Sequence, residues 1–280
     1  AAVYGIVQHF TGADWYRGVL GRPRMVKPRI ADAAGFASIG FFRNYVTYAH
    51  VLVLPLGLAL ARAACTGGAL ATLGALALAL AVLFSTARGA WVSAIAMGVA
   101  LVAMRRRGGI VLLVAGVVVV GVWLASPGLR AQVIPALTTT ENNAGRIGIY
   151  RANLDIVRDN PLFGLGFGRY QREAAPYYDR HPEADRRSHA HNAFLQLGAE
   201  AGLVGLAAFM LLFATAIRYG AETMAWLDAA ADPTYATALG AWLGIIGFLA
   251  SGLTHYTFGD SEVATAMWVT LAVLMRLRDT

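Results

Sequence analysis

Lysine is almost missing from this chain: Lys27 is the only one among 23 Lys and Arg residues, so arginine carries nearly all the positive charge. Charge of either sign is scarce, at 14% of residues, whereas soluble domains carry about 25%. That shortage argues against a water-soluble globule. Cysteine is lacking too. Cys65 stands alone, which excludes an intramolecular disulfide and leaves the redox compartment unread. There is no Walker loop and no dinucleotide fingerprint, and nothing in the charge pattern points to nucleic acid. No signal peptide is visible and the sequence starts at Ala1 without a methionine, so a partial chain is expected. No internal repeat stands out, only an Ala/Leu-rich tract in the second apolar run.

What is present is apolar. Of 280 residues 58% are hydrophobic, and the mean hydropathy is +0.56. The expected fold is all-α, a polytopic bundle of transmembrane helices with a long extracytoplasmic loop. About seven spans are expected, at residues 41–60, 67–84, 90–104, 108–126, 193–217, 235–254 and 258–275. The second and third together run for about 38 residues, too long for one crossing, so the chain must turn near Arg88. Residues 1–35 read as an interfacial or extracytoplasmic segment, with Trp15 and Tyr16 followed by Arg17, Arg22, Arg24, Lys27 and Arg29. Residues 36–126 hold four spans, 127–190 the long loop with short helices, and 191–280 three more spans. Asn142-Asn143 can cap a helix reaching Asp159, where Asn160-Pro161 stops it.

If the crossings alternate, Arg62, Arg105-Arg106-Arg107, Arg218, Arg276 and Arg278 fall on one side. That side is read as cytoplasmic. Arg88, the long loop and the Asp260-Ser261-Glu262 turn then face outward, and the basic run from Arg17 to Arg29 is an exception, suited to anionic lipid or glycan.

The stretch from Ser188 to Gly205 organises the rest. A charged, irregular segment ends at His191-Asn192, and an apolar run with the single charge Glu200 follows over 193–217. Read as one helix, it puts Leu195, Gly198, Gly202 and Gly205 on the His191 stripe and Glu200 about 180° away. Gly198 and Gly202 form a small-xxx-small pair that admits a close neighbour. At the helix mouth, His191 is either a polar helix start or a base: an unperturbed imidazole titrates near 6.5 and can accept a proton from a positioned hydroxyl. His189-x-His191 can also ligate zinc, although no nearby Cys or well-spaced carboxylate completes that set. Asn192 can orient the ring or a substrate hydroxyl. Arg88, between apolar runs, must snorkel or find an anion. Arg43 stands on the same side and faces the same choice. His50 and His255 read as structural polar contacts. Arg146 and Arg151, five residues apart, sit about 140° apart on a helix and cannot readily face one phosphate. Arg151 shares a charged stripe with Asp155 and Arg158.

His191-Asn192, nine residues and then Gly202-x-x-Gly205 resembles the signature of the O-antigen ligases and related Wzy-type polymerases. Ser85-Thr86-Ala87-Arg88-Gly89-Ala90-Trp91-Val92 resembles their arginine motif, with Val92 in place of leucine. Gly145 to Ala152, with Asp159 to Gly166, is similar to their long extracytoplasmic loop. Family members have about a dozen spans, so the resemblance covers their C-terminal part. It implies a metal-independent, inverting glycosyltransferase of the bacterial inner membrane, without cofactor, whose active site is periplasmic. The donor implied is an undecaprenyl-diphosphate-linked glycan, and the acceptor a hydroxyl of a glycolipid, a polysaccharide or a protein. His191 is the implied general base, and Arg88 and Arg146 hold the diphosphate. Arg43, Arg151, His189 and Asn192 are the further candidates for substrate contact. Two other classes stay open: a transporter of a small anion or inorganic carbon, and a non-catalytic partial chain.

Overall fold

The computed structural model describes residues 1–26, 35–105, 108–125, 140–185, 189–227 and 234–277. Among them there is no β-sheet. The helices in order are α1 (Ala2–Thr11), α2 (Trp15–Val19), α3 (Tyr45–Thr66), α4 (Ala69–Ser85), α5 (Arg88–Met104), α6 (Gly108–Ala125), α7 (Thr140–Asp159), α8 (Tyr170–Glu173), α9 (Ala175–Asp179), α10 (Ala193–Trp226), α11 (Tyr235–Gly252) and α12 (Ser261–Arg276). Three of them, α3, α10 and α11, are long and apolar enough to cross a membrane. α4 and α5 are apolar but hold 17 residues each.

The core is built on α3, α5 and α11, brought together by small residues. A β-carbon on Gly57 of α3 would stand 2.8 Å from the Gly240 oxygen and the Gly244 nitrogen of α11. The two backbones therefore touch, as small residues permit between membrane helices. Ser93 of α5 donates to the Gly247 oxygen of α11 at 2.6 Å, and Met97 packs beside it. Trp242 of α11 donates to the Ile217 oxygen at 2.9 Å, tying in the second half of α10. α3 starts at Tyr45 rather than near 41 because Asn44 caps it, accepting from the Thr47 amide at 2.8 Å. Gly67, with φ of 65°, closes it in the left-handed conformation.

The first residues are tied down. Gln8 and His9 of α1 are buried, and His9 stacks on Phe84 of α4 with centroids 4.3 Å apart. Arg17 is buried against Asp14 at 3.2 Å and also donates to the Phe42 carbonyl, so the basic run does not offer it to lipid or glycan. Lys27 and Arg29 lie outside the described residues, as do Arg106, Arg107 and Arg278 of the orientation reading.

Residues 140–185 form a second, smaller unit. Ile149, Ala152 and Ile156 of α7 pack with Tyr170, Ala174 and Tyr178, and with Ala190 and Ala199 next to and on α10. Asn153 donates to the Tyr170 hydroxyl at 2.7 Å, and the Tyr170 and Tyr178 hydroxyls meet at 2.9 Å. Burial raises both phenols above their ordinary range, so they stay protonated.

α10 is not the continuous helix that its apolar periodicity predicts. Gly202, at φ 67° and ψ −170°, breaks it into two. The turn after Pro161 fills the break: the Leu165 amide donates to the Ala199 oxygen (2.8 Å), Gly166 to Glu200 (2.9 Å), and in return Leu203 donates to Pro161 (2.7 Å). Carbonyls that the break strips of helical partners are thus satisfied by the loop. The close neighbour expected at Gly202 is backbone of this loop, and at Gly198 it is Val157 of α7.

Candidate functional site

Arg88, Arg146 and His191 come from three separate stretches, and all three line one cleft of about 140 Å³. Its other walls are Tyr45, Val46, His50, Thr86, Ala87, Gly89, Thr254 and His255. Arg88 is placed by the α4 to α5 turn. Ser85 accepts from the Ala87 amide at 3.2 Å, and the Trp91 indole reaches back to the Val82 oxygen at 3.3 Å. Arg146 is carried in by α7, which lies close to the 182–185 turn because Gly148 has no side chain: a β-carbon there would be 2.7 Å from Ala184.

His191 is held from both sides in sequence. Asn192 caps α10, its side-chain oxygen accepting from the Phe194 and Leu195 amides at 2.9 and 3.0 Å. Its amide group donates to the Leu253 oxygen at 3.1 Å, which fastens the start of α10 to the segment bearing Thr254 and His255. Asn192 thereby both caps and braces. On the other side, buried Gln196 accepts from the Ala190 amide at 2.6 Å. His191 itself sits at φ 51°.

Among the described residues only Thr86 and His191 are non-glycine residues with positive φ, and both line this cleft. A left-handed conformation costs an L-residue about 1–2 kcal/mol, and for β-branched Thr86 it is a true outlier. Strain of this kind concentrates where function fixes the geometry.

Four histidines converge here. His189 and His191 rings are 4.2 Å apart between centroids, His189 and His255 5.1 Å, and His50 stacks on His255 at 5.4 Å. Burial, reinforced by His50, His189, His191 and Arg146, drives His255 far below the usual imidazole range, so it is neutral at any physiological pH. His189, His191 and His255 offer ring nitrogens within 4.8 Å of one another, the set from which a metal site can be built. His255 is the third ligand that the sequence does not disclose. Arg88 and Arg146, lining the same cleft as two of the three, oppose a dication and favour an anion.

The remaining candidates lie elsewhere. Arg43 is exposed and its charge acts on Glu262. Arg151 is exposed and pairs with Glu183 at 3.2 Å. On its stripe Asp155 meets His181 at 2.9 Å. Glu200 is buried and does not line the cleft; it lies near Gln196, Gly168 and Tyr170. The residues missed from sequence are His50, Thr254, His255 and Gln196. Only Gln196 had a readable signal, a glutamine in the first turn after an N-cap asparagine, where it can reach back to a free amide.

Residues 73–210 match the model of a family described as O-Antigen ligase. That range contains Arg88, Arg146 and His191, and leaves out His50, Thr254 and His255. A search of curated proteins returns no match.

Proposed function

We propose, on the match of residues 73–210 to the O-antigen ligase family, that this membrane protein transfers a glycan from an undecaprenyl-diphosphate carrier to an acceptor hydroxyl. The observation that carries this reading is the convergence of Arg88, Arg146 and His191 on one cleft. Its chemistry needs two things: a base for a hydroxyl proton and fixed positive charge for a leaving diphosphate.

In the proposed step the acceptor oxygen attacks the anomeric carbon on the face opposite the diphosphate, and the configuration inverts. The new oxygen–carbon bond forms as the carbon–oxygen bond to phosphate breaks, with its electron pair leaving on the diphosphate. His191 takes the hydroxyl proton. Arg88 and Arg146 receive the leaving charge with planar, multi-donor forks that match phosphate oxygens, and need no reorganisation at the moment of transfer. The left-handed backbone at His191 is part of this preorganisation, because it aims the ring at the cleft while Asn192 starts the helix. No metal is needed for this sequence of events.

The location proposed is the bacterial inner membrane, with seven spans and the cleft on the periplasmic face. The acceptor belongs to a glycolipid, a growing polysaccharide or a protein. The test incubates the full-length protein with an undecaprenyl-diphosphate glycan and each acceptor in turn, and follows release of the carrier diphosphate. Acceptor-dependent release, unchanged by chelator, is expected. Solute flux through liposomes without release would replace this reading with a transporter, and loss of transfer on chelation would assign the three histidines to a metal.

A further inference from the structure

His50 lines the cleft without a part in the proposed transfer, and its surroundings are unusual. The residue is 3% exposed, on the first turns of α3. Its Nδ1 lies 2.7 Å from the Val46 oxygen. A carbonyl can only accept, so Nδ1 carries the hydrogen, and the neutral ring presents Nε2 as a bare lone pair. That nitrogen is buried and has no hydrogen-bond partner. Leaving a buried acceptor unmade costs free energy, and an orphan of this kind in a cleft calls for an explanation.

A second acceptor stands close by. The Thr254 hydroxyl donates to the Ser251 oxygen at 3.1 Å, so its remaining capacity is as an acceptor. Gly89, having no side chain, lets its backbone pack close to both atoms. A β-carbon on residue 89 would lie 2.5 Å from Thr254 Oγ1 and 2.9 Å from His50 Nε2. The ring plane is fixed by stacking on His255 at 17°. The cleft therefore has a cationic part, at Arg88 and Arg146, and an acceptor-only corner. Lone pairs repel phosphate oxygens, and a cation would have to sit in a cleft already holding two guanidiniums. What such a corner takes is a neutral hydroxyl hydrogen.

We propose that His50 Nε2 and Thr254 Oγ1 form a hydroxyl-binding subsite, which positions a sugar through one of its non-reacting hydroxyls. The ligand class rests on the glycosyl-transfer reading above; the acceptor geometry does not. The sugar belongs either to the lipid-linked donor or to the acceptor, and kinetics separate the two.

The experiment uses the full-length protein in nanodiscs, with undecaprenyl-diphosphate glycan and acceptor varied independently. His50→Phe removes the lone pair and keeps a ring, His50→Gln keeps an acceptor near the same place, and Gly89→Ala pushes a methyl onto both acceptors without removing either. Losing one hydrogen bond to substrate corresponds to a roughly tenfold rise in KM. His50→Phe and Gly89→Ala are expected to raise KM for the same one substrate by about that factor, with kcat moved far less, and His50→Gln to recover part of it. Unchanged KM for both substrates in both variants would leave the corner to water and overturn the proposal. A fall in kcat with both KM values unchanged would overturn it as well. Should the wild type transfer nothing, the glycosyltransferase reading fails and the corner is read alone. The Nε2 resonance of 15N-histidine-labelled protein, assigned by its loss in His50→Gln, is followed during titration with N-acetylglucosamine. Movement absent from Gly89→Ala supports the subsite, and no movement removes it.

Discussion

Replacing Gly202 by alanine tests the feature that joins the two halves of the molecule. Its backbone, at φ 67° and ψ −170°, occupies a region open essentially to glycine alone, which costs other residues about 1–3 kcal/mol. The added methyl would also overlap the Leu162 carbonyl and crowd the Phe163 amide, both backbone atoms of the loop that fills the helix break. Moving that loop gives up hydrogen bonds from Leu165 to Ala199, Gly166 to Glu200 and Leu203 to Pro161. At about 0.5–1.5 kcal/mol for each bond, losing two of them brings the total to about 2–6 kcal/mol. Gly168→Ala is the control. It also has positive φ, 74°, but a β-carbon there meets nothing within 4 Å, so its cost is the conformational one of about 1–2 kcal/mol. Thermal unfolding in nanodiscs should rank wild type, Gly168→Ala and Gly202→Ala in that order, with the larger gap below Gly168→Ala. Transfer should fall sharply only in Gly202→Ala, because the short helix it terminates carries the Asn192 cap and the His191 turn. Equal, mild effects of the two substitutions would refute the inserted-loop geometry.

Two other outcomes are expected. In a Cys65→Ala background, a cysteine at Phe167, which is 71% exposed, should react with impermeant thiol reagent in intact cells, while one at exposed Gly68 should react only after permeabilisation; the reverse pattern would invert the arginine-based orientation. His255 is neutral in the fold but takes a proton near pH 6.5 when unfolded, so the unfolded state binds more protons and stability falls as pH drops below that point. One such proton contributes a slope of about 1.4 kcal/mol per pH unit. The acid-side loss of thermal stability should be shallower in His255→Phe, and an unaltered pH dependence would contradict the burial of a neutral ring.

The helical character was legible because composition and run length decide it, but the ends of the helices depend on single caps. Asn44 moves the start of α3 past Phe41 and Phe42, which hydropathy alone assigns to the helix. The break at Gly202 was hidden for a different reason: the residues around it keep helical periodicity, and the partner that replaces the lost bonds lies some 40 residues earlier, at Pro161 to Gly166. Gly164-Leu165-Gly166 announced a tight turn without announcing where it docks. Arg88, Arg146 and His191 were found through motifs that extend over their neighbours. His50 and His255 belong to no such motif, and a lone histidine beside an apolar run looks the same whether it satisfies a carbonyl or faces a cleft. Only the packing of α3 against the 253–256 segment brings them to the same place.

Donor affinity and single-turnover transfer, measured side by side for His191→Ala, Arg88→Ala and Arg146→Ala, bear most directly on the division of labour in the cleft. His191→Ala should slow transfer by about 10²–10⁴-fold and keep donor affinity, since the base acts only as the proton moves. The arginine variants should weaken donor binding as well as slow transfer, because the diphosphate is charged before the transition state, and lysine at either place should recover only part of the loss. An active His191→Ala protein, or arginine variants with unchanged donor affinity and transfer, would contradict these assignments.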